Sequence, residues 1–325
     1  CTTACAIIIG LIIANVFNVG GGYTLTTDEL SDEAKAAPSF IETVVNIFPS
    51  NFVQPMSDAS MLQIIVIALF FGFGILAAGK KAQPVADFVN GMSEVCIKIM
   101  HMIISIAPFG VFGLITPVVT TNGPDILLPL LKLILVAYLA MILHMVLVHS
   151  GMVKAIAKMG PLTFFKGQVR AMTFAFASAS SVGTLPINME CSEKLGVRRE
   201  VSSFVLPLGA TINMDGTAIY QGVCAIFIAQ VFGIDLTLGQ QCVIVMTAVL
   251  SSIGTAGVPG SGMIMLAMVL QSVGLPVEGI ALVAGVDRVL DMMRTVVNIT
   301  GDQSAAVCVD SLEKRKEARQ AAKAA

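Results

Sequence analysis

Long apolar segments follow one another along almost the entire chain, with only short polar stretches between them. Hydrophobic residues make up 56% of the 325 positions and charged residues 12%, whereas an average soluble domain carries about 25% charged residues. A helix needs about 20 apolar residues to cross a bilayer. The sequence therefore predicts an all-α polytopic membrane protein rather than a soluble or singly anchored one. The apolar segments are 1–18, a region ending near Ala78, 86–118, 125–153, 161–195, 199–233, 237–274 and 278–309.

The last apolar segment carries an unusual number of polar side chains. At about 100° per residue, six of them fall within roughly a third of the helix circumference. They are Asp287, Asp291, Arg294, Thr295, Asn298 and Asp302. Charged groups at membrane depth are costly and face a protein interior or a water-filled path. The stripe therefore predicts a binding site, which is typical of a transporter for a small charged solute.

Two segments share a motif of small residues. Ser180–Pro186 has the sequence SSVGTLP, and Ser251–Gly262 has SSIGTAGVPGSG. The clusters of Lys and Arg belong in the cytoplasm by the positive-inside rule, so 162–195 and 237–274 enter the membrane from opposite sides and return. A shared motif in segments of opposite entry indicates inverted repeats with two re-entrant helical hairpins. The alternative is that the small residues only permit close helix packing.

The stretch between these hairpins is a poor helix former. Gly209–Thr217 has the sequence GATINMDGT, which predicts local unwinding inside an apolar span. Unwound carbonyl groups beside Asn213 and Asp215 would offer oxygen ligands to a hard cation such as sodium rather than to zinc, which prefers His and Cys. The histidines lack the spacing of a metal motif, and we expect them to pack or to lie at an interface. They are His101, His144 and His149.

The chemistry of the stripe suggests a role for each side chain. The planar fork of Arg294 suits a carboxylate, and Asp291 suits an ammonium group. Asn298 and Thr295 could orient polar atoms, while Asp302, about one turn beyond Asn298, could bind a cation. The alternative is internal pairing of Asp291 with Arg294 at i, i+3, which explains only two residues of the stripe. No HExxH or GxSxG motif and no nucleophile–base pair is present, so the sequence does not indicate an enzyme.

Four ordered stretches resemble the glutamate/aspartate:cation symporter family (dicarboxylate/amino acid:cation symporters), in its prokaryotic type. They are SSVGTLP at 180–186, LGATINMDGTAIYQGVC at 208–224, SIGTAGVPG at 252–260 and DMMRTVVNITGD at 291–302. The resemblance covers essentially the whole chain. It implies a homotrimer in the cell membrane, surrounded by lipid, in which a transport domain of each protomer slides against a scaffold like an elevator. It also implies that the chain begins within the third transmembrane helix.

The resemblance also divides the chain into functional parts. Residues 1–22 would be a transport-domain helix, 23–121 scaffold helices and an extracellular loop, 122–160 a transport-domain helix, 161–198 the first re-entrant hairpin, 199–234 the unwound NMDGT helix, 235–276 the second re-entrant hairpin and gate, 277–310 the substrate-binding helix and 311–325 a cytoplasmic tail.

By matching position, the resemblance implies a pocket for an acidic amino acid and three sites for co-transported sodium ions. Arg294 would bind the side-chain carboxylate, Asp291 and Thr295 the amino group, and Asn298 the α-carboxylate. Backbone at Ser181, Val258 and Gly262 and the Thr217 hydroxyl would complete the pocket. The first sodium set is Gly209, Asn213, Asn298 and Asp302; the second is Thr211, Ser252, Ile253 and Thr255; the third is Thr2, Thr3, Asn213 and Asp215.

The chain departs from the family pattern at four positions. Some members carry a second arginine at the first hairpin tip, where this chain has Ala179, and others carry it where this chain has Met292. Gln221 stands where potassium-countertransporting relatives have Glu, so we expect no potassium coupling. Val182 replaces a Ser of the usual tip.

The function expected from these residues is sodium-coupled symport of L-aspartate or L-glutamate. The alternatives within the same fold are proton coupling, or transport of a C4-dicarboxylate or a neutral amino acid. Arg294 argues against neutral side chains, and Asp291 argues against a plain dicarboxylate. An anion channel is the alternative from another class. Nothing in the sequence indicates a nucleic-acid partner.

Overall fold

The computed structural model describes residues 2–21, 48–57, 61–106, 126–252 and 260–324, and the single positions 109, 112, 113, 116, 120 and 257. Every regular element in these ranges is helical, which confirms the predicted all-α class. The helices are α1 Thr2–Val16, α2 Gln54–Ser57, α3 Met61–Ala78, α4 Gln83–Ser105, α5 Leu127–His144, α6 Ser150–Met152, α7 Pro161–Ser178, α8 Ser181–Lys194, α9 Arg199–Ile212, α10 Asp215–Val231, α11 Leu238–Ser252, α12 Ser261–Ser272, α13 Ile280–Ala284 and α14 Asp287–Ala324. Two π-helical segments, Met145–His149 and Val153–Ala157, extend α5 and α6.

Helix α10 lies at the centre of the main hydrophobic core. It is buried on almost every side, as expected of a helix that is apolar all round. Helix α1 packs closely against it, because a side chain at Gly10 would lie only 3.3 Å from the Ile219 Cα. A second, smaller core joins the middle of α14 to α7 and α9 through Phe164, Leu206 and Val307.

The chain unwinds where the sequence predicts it. Helix α9 ends at Ile212 and α10 begins at Asp215, with Asn213 at φ −94° and ψ 89° between them. Helical hydrogen bonding is interrupted at this point, and the polar groups of the break face α14. The predicted unwinding is therefore confirmed at Asn213 and Met214, whereas Asp215, Gly216 and Thr217 already belong to α10.

Two antiparallel helical hairpins flank this break. Helices α7 and α8 pack against each other and are joined by Ala179, which has a left-handed φ of 52°, and by Ser180, whose Oγ accepts a hydrogen bond from the Gly183 amide at 3.0 Å. Helices α11 and α12 also pack against each other. Most of the loop between α11 and α12 lies outside the described residues.

The outer helices expose apolar side chains. On α3, Phe70 and Phe73 are each 65% exposed and Leu76 is 78% exposed, which suits lipid better than water. Among the described residues, two helical stretches are long and apolar enough to cross a membrane, Val66–Cys96 and Leu127–Ala157. Helix α14 has 38 residues and continues without a break from the polar stripe into the charged tail.

Candidate substrate and cation site

The polar stripe of α14 faces the protein interior. Each of its six side chains is at most 5% exposed: Asp287, Asp291, Arg294, Thr295, Asn298 and Asp302. Helical periodicity had placed them on one face, and the structure buries that face against the helix break and both hairpins. The expectation that these charges avoid lipid is therefore confirmed.

Arg294 and Asp291 form an ion pair within α14. Arg294 donates to Asp291 Oδ1 from Nε at 3.0 Å and from Nη2 at 2.5 Å. The guanidinium carbon lies 4.8 Å from the centroid of the Tyr220 ring, a cation–π contact. Internal pairing, the alternative for these two residues, is thus the arrangement in this structure.

The pair leaves hydrogen-bonding capacity unused. Arg294 Nη1 is buried and has no hydrogen-bond partner within the described part of the chain. A buried donor without a partner costs about 1–3 kcal/mol. Beside it lies a small cavity of about 10 Å³, which is room for about one water molecule. Its lining residues are Ala179, Ser181, Met214, Thr217, Gly257, Ser261, Asp291, Arg294, Thr295 and Asn298.

The tips of the two hairpins meet over this cavity. The Val182 amide and the Ser180 hydroxyl both donate to the Gly257 carbonyl, each at 3.2 Å. The second hairpin also contacts α14, since the Gly260 amide donates to Asp291 Oδ2 at 3.0 Å. Gly262 lies so close to the Arg294 guanidinium that no side chain fits between them. Contacts between the hairpins and with α14 therefore cover part of the cavity.

Asn298 connects the stripe to the helix break. Its Oδ1 accepts a hydrogen bond from the Gly216 amide at 2.8 Å, and its Nδ2 lies 3.4 Å from the Thr217 hydroxyl. Thr295 donates to the Asp291 carbonyl at 2.9 Å, which keeps its hydroxyl close to α14. The predicted substrate residues of α10 and α14 are thus brought together.

The residues of the predicted first sodium set also converge. Asn213 Nδ2 donates to the Asn298 carbonyl and to Asp302 Oδ1, both at 3.0 Å. Gly209 lies directly against Asp302, because a side chain there would meet Oδ1 at 2.6 Å. The potential cation ligands at this position are carbonyl and carboxylate oxygens, which suit a hard cation.

The third predicted set has an unexpected addition. Asp215 Oδ1 accepts hydrogen bonds from Thr3 at 2.7 Å and from Thr2 at 3.3 Å. Its other oxygen, Oδ2, lies 3.1 Å from His144 Nε2 and 3.2 Å from His149 Nε2. The expectation that the histidines lack metal spacing is wrong for these two, because a π-helical segment brings residues i and i+5 to the same side.

The second predicted sodium set is only partly described. Thr211 is exposed and donates to Leu208 at 2.9 Å, whereas Ser252 is buried and donates to Val249 at 2.8 Å. Between described residues, no hydrogen bond joins Thr211 to Ser252. The remaining predicted residues of this set and one of the pocket lie outside the described residues: Ile253, Thr255 and Val258.

Comparison with known proteins gives consistent matches over the chain. A sequence model of the sodium:dicarboxylate symporter family matches residues 1–312. The chain is 38% identical over 322 residues to the proton/sodium-glutamate symport protein of Bacillus caldotenax, covering 96% of this chain and 76% of that protein. It is 35% identical to the proton/glutamate-aspartate symporter of Escherichia coli (strain K12), covering 98% and 75%. It is 36% identical to C4-dicarboxylate transport protein 1 of Ralstonia nicotianae, covering 95% and 74%.

Proposed function

The chain belongs to the sodium:dicarboxylate symporter family, and we propose that it couples the uptake of L-aspartate or L-glutamate to the entry of sodium ions. Family membership makes it a cation-coupled membrane transporter and not an enzyme. Beyond family membership, we propose the identity of the substrate, the coupling ion and the transport motion.

The observation that carries the substrate assignment is the buried Arg294–Asp291 pair with a free donor at the cavity. An acidic amino acid brings both a carboxylate and an ammonium group. It can therefore replace one internal ion pair by two pairs, with Arg294 holding the side-chain carboxylate and Asp291 the ammonium. A plain dicarboxylate would leave Asp291 without a positive partner, and a neutral amino acid would leave Arg294 without a negative one.

Sodium coupling is supported by the connection between the oxygen-rich set and the substrate pocket. Asn298 takes part in both, through its carbonyl toward Asn213 and its side chain toward Gly216 and Thr217. A cation bound by Asp302 and the neighbouring carbonyls would hold the helix break and Asn298 in one arrangement. Substrate and cation would then favour the same conformation, which is a coupling free energy between two sites.

The second hairpin is proposed as the gate. Its Gly260 amide binds Asp291, the residue assigned to the substrate ammonium, so substrate and hairpin act on the same carboxylate. We further propose the elevator movement of a transport domain, comprising α1, α5, both hairpins and the last helices, within a homotrimer in the cell membrane. Gln221 accepts a hydrogen bond from the Ser251 hydroxyl at 3.0 Å. Because Gln221 is a neutral amide where potassium-countertransporting relatives have Glu, we propose no potassium countertransport.

The test is uptake of labelled L-aspartate by the purified full-length protein in liposomes. Accumulation should require an inward sodium gradient and stop when choline replaces sodium. Unlabelled glutamate should compete, while succinate and serine should not. Uptake driven by a proton gradient alone, measured with and without a protonophore, distinguishes proton coupling from sodium coupling.

Other outcomes would overturn particular assignments. Accumulation driven only by protons would remove sodium from the proposal, and preferential competition by succinate would contradict the role of Asp291. Competition by serine as strong as that by glutamate would contradict the role of Arg294. Steady current without accumulation would favour the anion channel.

A further inference from the structure

Three potential metal ligands meet at the start of α10, and the proposed transport cycle does not use two of them. His144, His149 and Asp215 are fully buried, and one ligand atom from each lies within 4.8 Å of the others. The two imidazole rings meet edge to face, with centroids 4.6 Å apart, and each turns Nε2 toward Asp215 Oδ2. Both Nδ1 atoms point away from the carboxylate and have no partner among the described residues.

The backbone fixes this arrangement. The π-helical segment Met145–His149 places His149 on the same side as His144. Asp215 is held from its other oxygen by Thr3 and Thr2, so Oδ2 is aimed at the two rings. Hydrogen bonds that orient a ligating carboxylate are a regular feature of metal sites.

We propose that His144, His149 and Asp215 bind a divalent transition-metal ion of the zinc class through two Nε2 atoms and Oδ2. Two imidazoles and one carboxylate form a donor set preferred by zinc, cobalt and copper, and unlike the oxygen set at Asp302 it is soft enough to select them over magnesium. Ligand atoms around tetrahedral zinc stand roughly 3.4 Å apart. The two Nε2–Oδ2 separations, 3.1 and 3.2 Å, are close to this value. All three atoms lie within 4.8 Å of one another, so the two rings approach each other by up to about 1.4 Å when the metal binds.

The metal would act as an inhibitor of transport. Asp215 is also assigned to the third sodium ion, so the two ions compete for one carboxylate. A divalent ion held by two rings from the π-helical segment would tie that segment to α10. The Nδ1 atoms gain no hydrogen-bond acceptor when Nε2 binds the metal, which weakens binding by about 10- to 100-fold relative to a site with supported imidazoles. Binding is therefore reversible and removed by a chelator.

Direct binding is measured first, on the purified full-length protein without substrate. Cys1, which lies outside the described residues, and the three exposed cysteines among the described residues, Cys5, Cys96 and Cys242, are replaced by serine so that thiols do not bind the metal. Electron paramagnetic resonance of one equivalent of Cu²⁺ should show coupling to two nitrogen ligands. Coupling to one nitrogen or to none would overturn the proposal, and this test needs no substitution at His144, His149 or Asp215.

The variant His149→Gln then tests the site itself. Glutamine keeps an N–H donor for Asp215 and removes the ring nitrogen. In this variant the Cu²⁺ nitrogen coupling should fall to one nitrogen or fewer, and the Zn²⁺ concentration that halves aspartate uptake should rise at least about tenfold. If His149→Gln is not monodisperse in detergent, His144→Gln takes its place. Unchanged coupling in a folded variant, or Mg²⁺ inhibiting as strongly as Zn²⁺, would contradict the assignment.

The inference goes beyond the proposed function and fails separately from it. Metal binding is detected without transport, so it stands even if aspartate is not the substrate. Aspartate uptake without added metal tests the proposed function alone.

Discussion

Both halves of α14 carry ion pairs, but the pairs differ in their exposure to solvent and in how completely their hydrogen-bonding groups are used. In the first half, the Arg294–Asp291 pair is almost completely buried, and Arg294 Nη1 has no partner among the described residues. In the second half, Arg198 donates to Asp310 and to Glu317, both at 2.7 Å; Asp310 is buried, but Arg198 and Glu317 reach the surface. Lys314 adds a third contact to Asp310, at 2.6 Å.

This difference indicates that the buried pair serves transport, whereas the more exposed pairs contribute to stability. A buried pair with an unused donor costs free energy that hydrophobic residues of the same size would not cost. The proposed substrate would use this free donor, which gives the buried pair a functional rather than a stabilising role. An exposed ion pair contributes at most about 1 kcal/mol and is screened by salt. We therefore expect substitutions in the first half to change transport and substitutions in the second half to change stability slightly.

The largest effect is expected from Arg294→Cys. Loss of the guanidinium leaves Asp291 buried without its partner and removes the proposed carboxylate ligand. A loss of about 2 kcal/mol or more corresponds to at least about 30-fold weaker half-saturation by aspartate. Competition assays should show that serine or alanine is less affected. Arg288→Cys is the matched control, because Arg288 is exposed and lies six residues earlier on the same helix. Equal loss of all substrates would refute the role of Arg294.

Asp302→Asn should have the next largest effect, and on sodium rather than on substrate selectivity. The change removes the carboxylate charge beside Asn213 while preserving size. A lost charge-assisted contact should raise the half-saturating sodium concentration about tenfold or more. Sodium titration of aspartate uptake measures it. Asp310→Asn carries the same substitution in the other half of the helix, and a similar sodium shift there would contradict the comparison.

Gly262→Ala tests the contact between the second hairpin and the stripe. The added methyl group would run into the Arg294 guanidinium, which its ion pair and the Tyr220 ring hold in place. Overpacking of about 1 kcal/mol should weaken aspartate binding about fivefold. Equilibrium binding in detergent measures the change. Gly239→Ala, on the other arm of the same hairpin, has its nearest neighbouring atom at 3.8 Å and should bind as the unaltered protein does.

The smallest effect concerns Asp310 and depends on pH. Burial raises the pKa of Asp310, but hydrogen bonds from Lys314 and Arg198 outweigh it, so the pKa lies below the ordinary value of 3.8. A lowered native pKa stabilises the fold fully above the ordinary pKa, and this contribution is lost as the pH falls through the native pKa. Asp310→Asn should therefore lower the melting temperature at pH 7 by about 2 °C or less.

The difference between Asp310→Asn and the unaltered protein should shrink when the melting curves are repeated below pH 3.8. Transport at pH 7 should not change. A melting temperature that drops equally at both pH values would show that packing, rather than the ion pairs, is responsible.

Much of the site follows from local sequence. The stripe of α14 needs only helical periodicity and the cost of charge in lipid, so Asp291, Arg294 and Asn298 are found without a structure. The break at Asn213 follows from residues that favour non-helical backbone. The division into transport domain and scaffold and the sodium assignments rest on the family resemblance, and they remain predictions.

The sequence by itself determined that the chain is helical, apolar and built around one polar helix face, because these properties depend on composition and on the period of the helix. Only the tertiary structure decided that His144 and His149 face Asp215. At 100° per residue, positions five apart point about 140° away from each other, and only the π-helical segment brings them together. The tertiary structure alone also decided that Gly257 meets Ser180 and Val182, since this contact joins segments more than seventy residues apart.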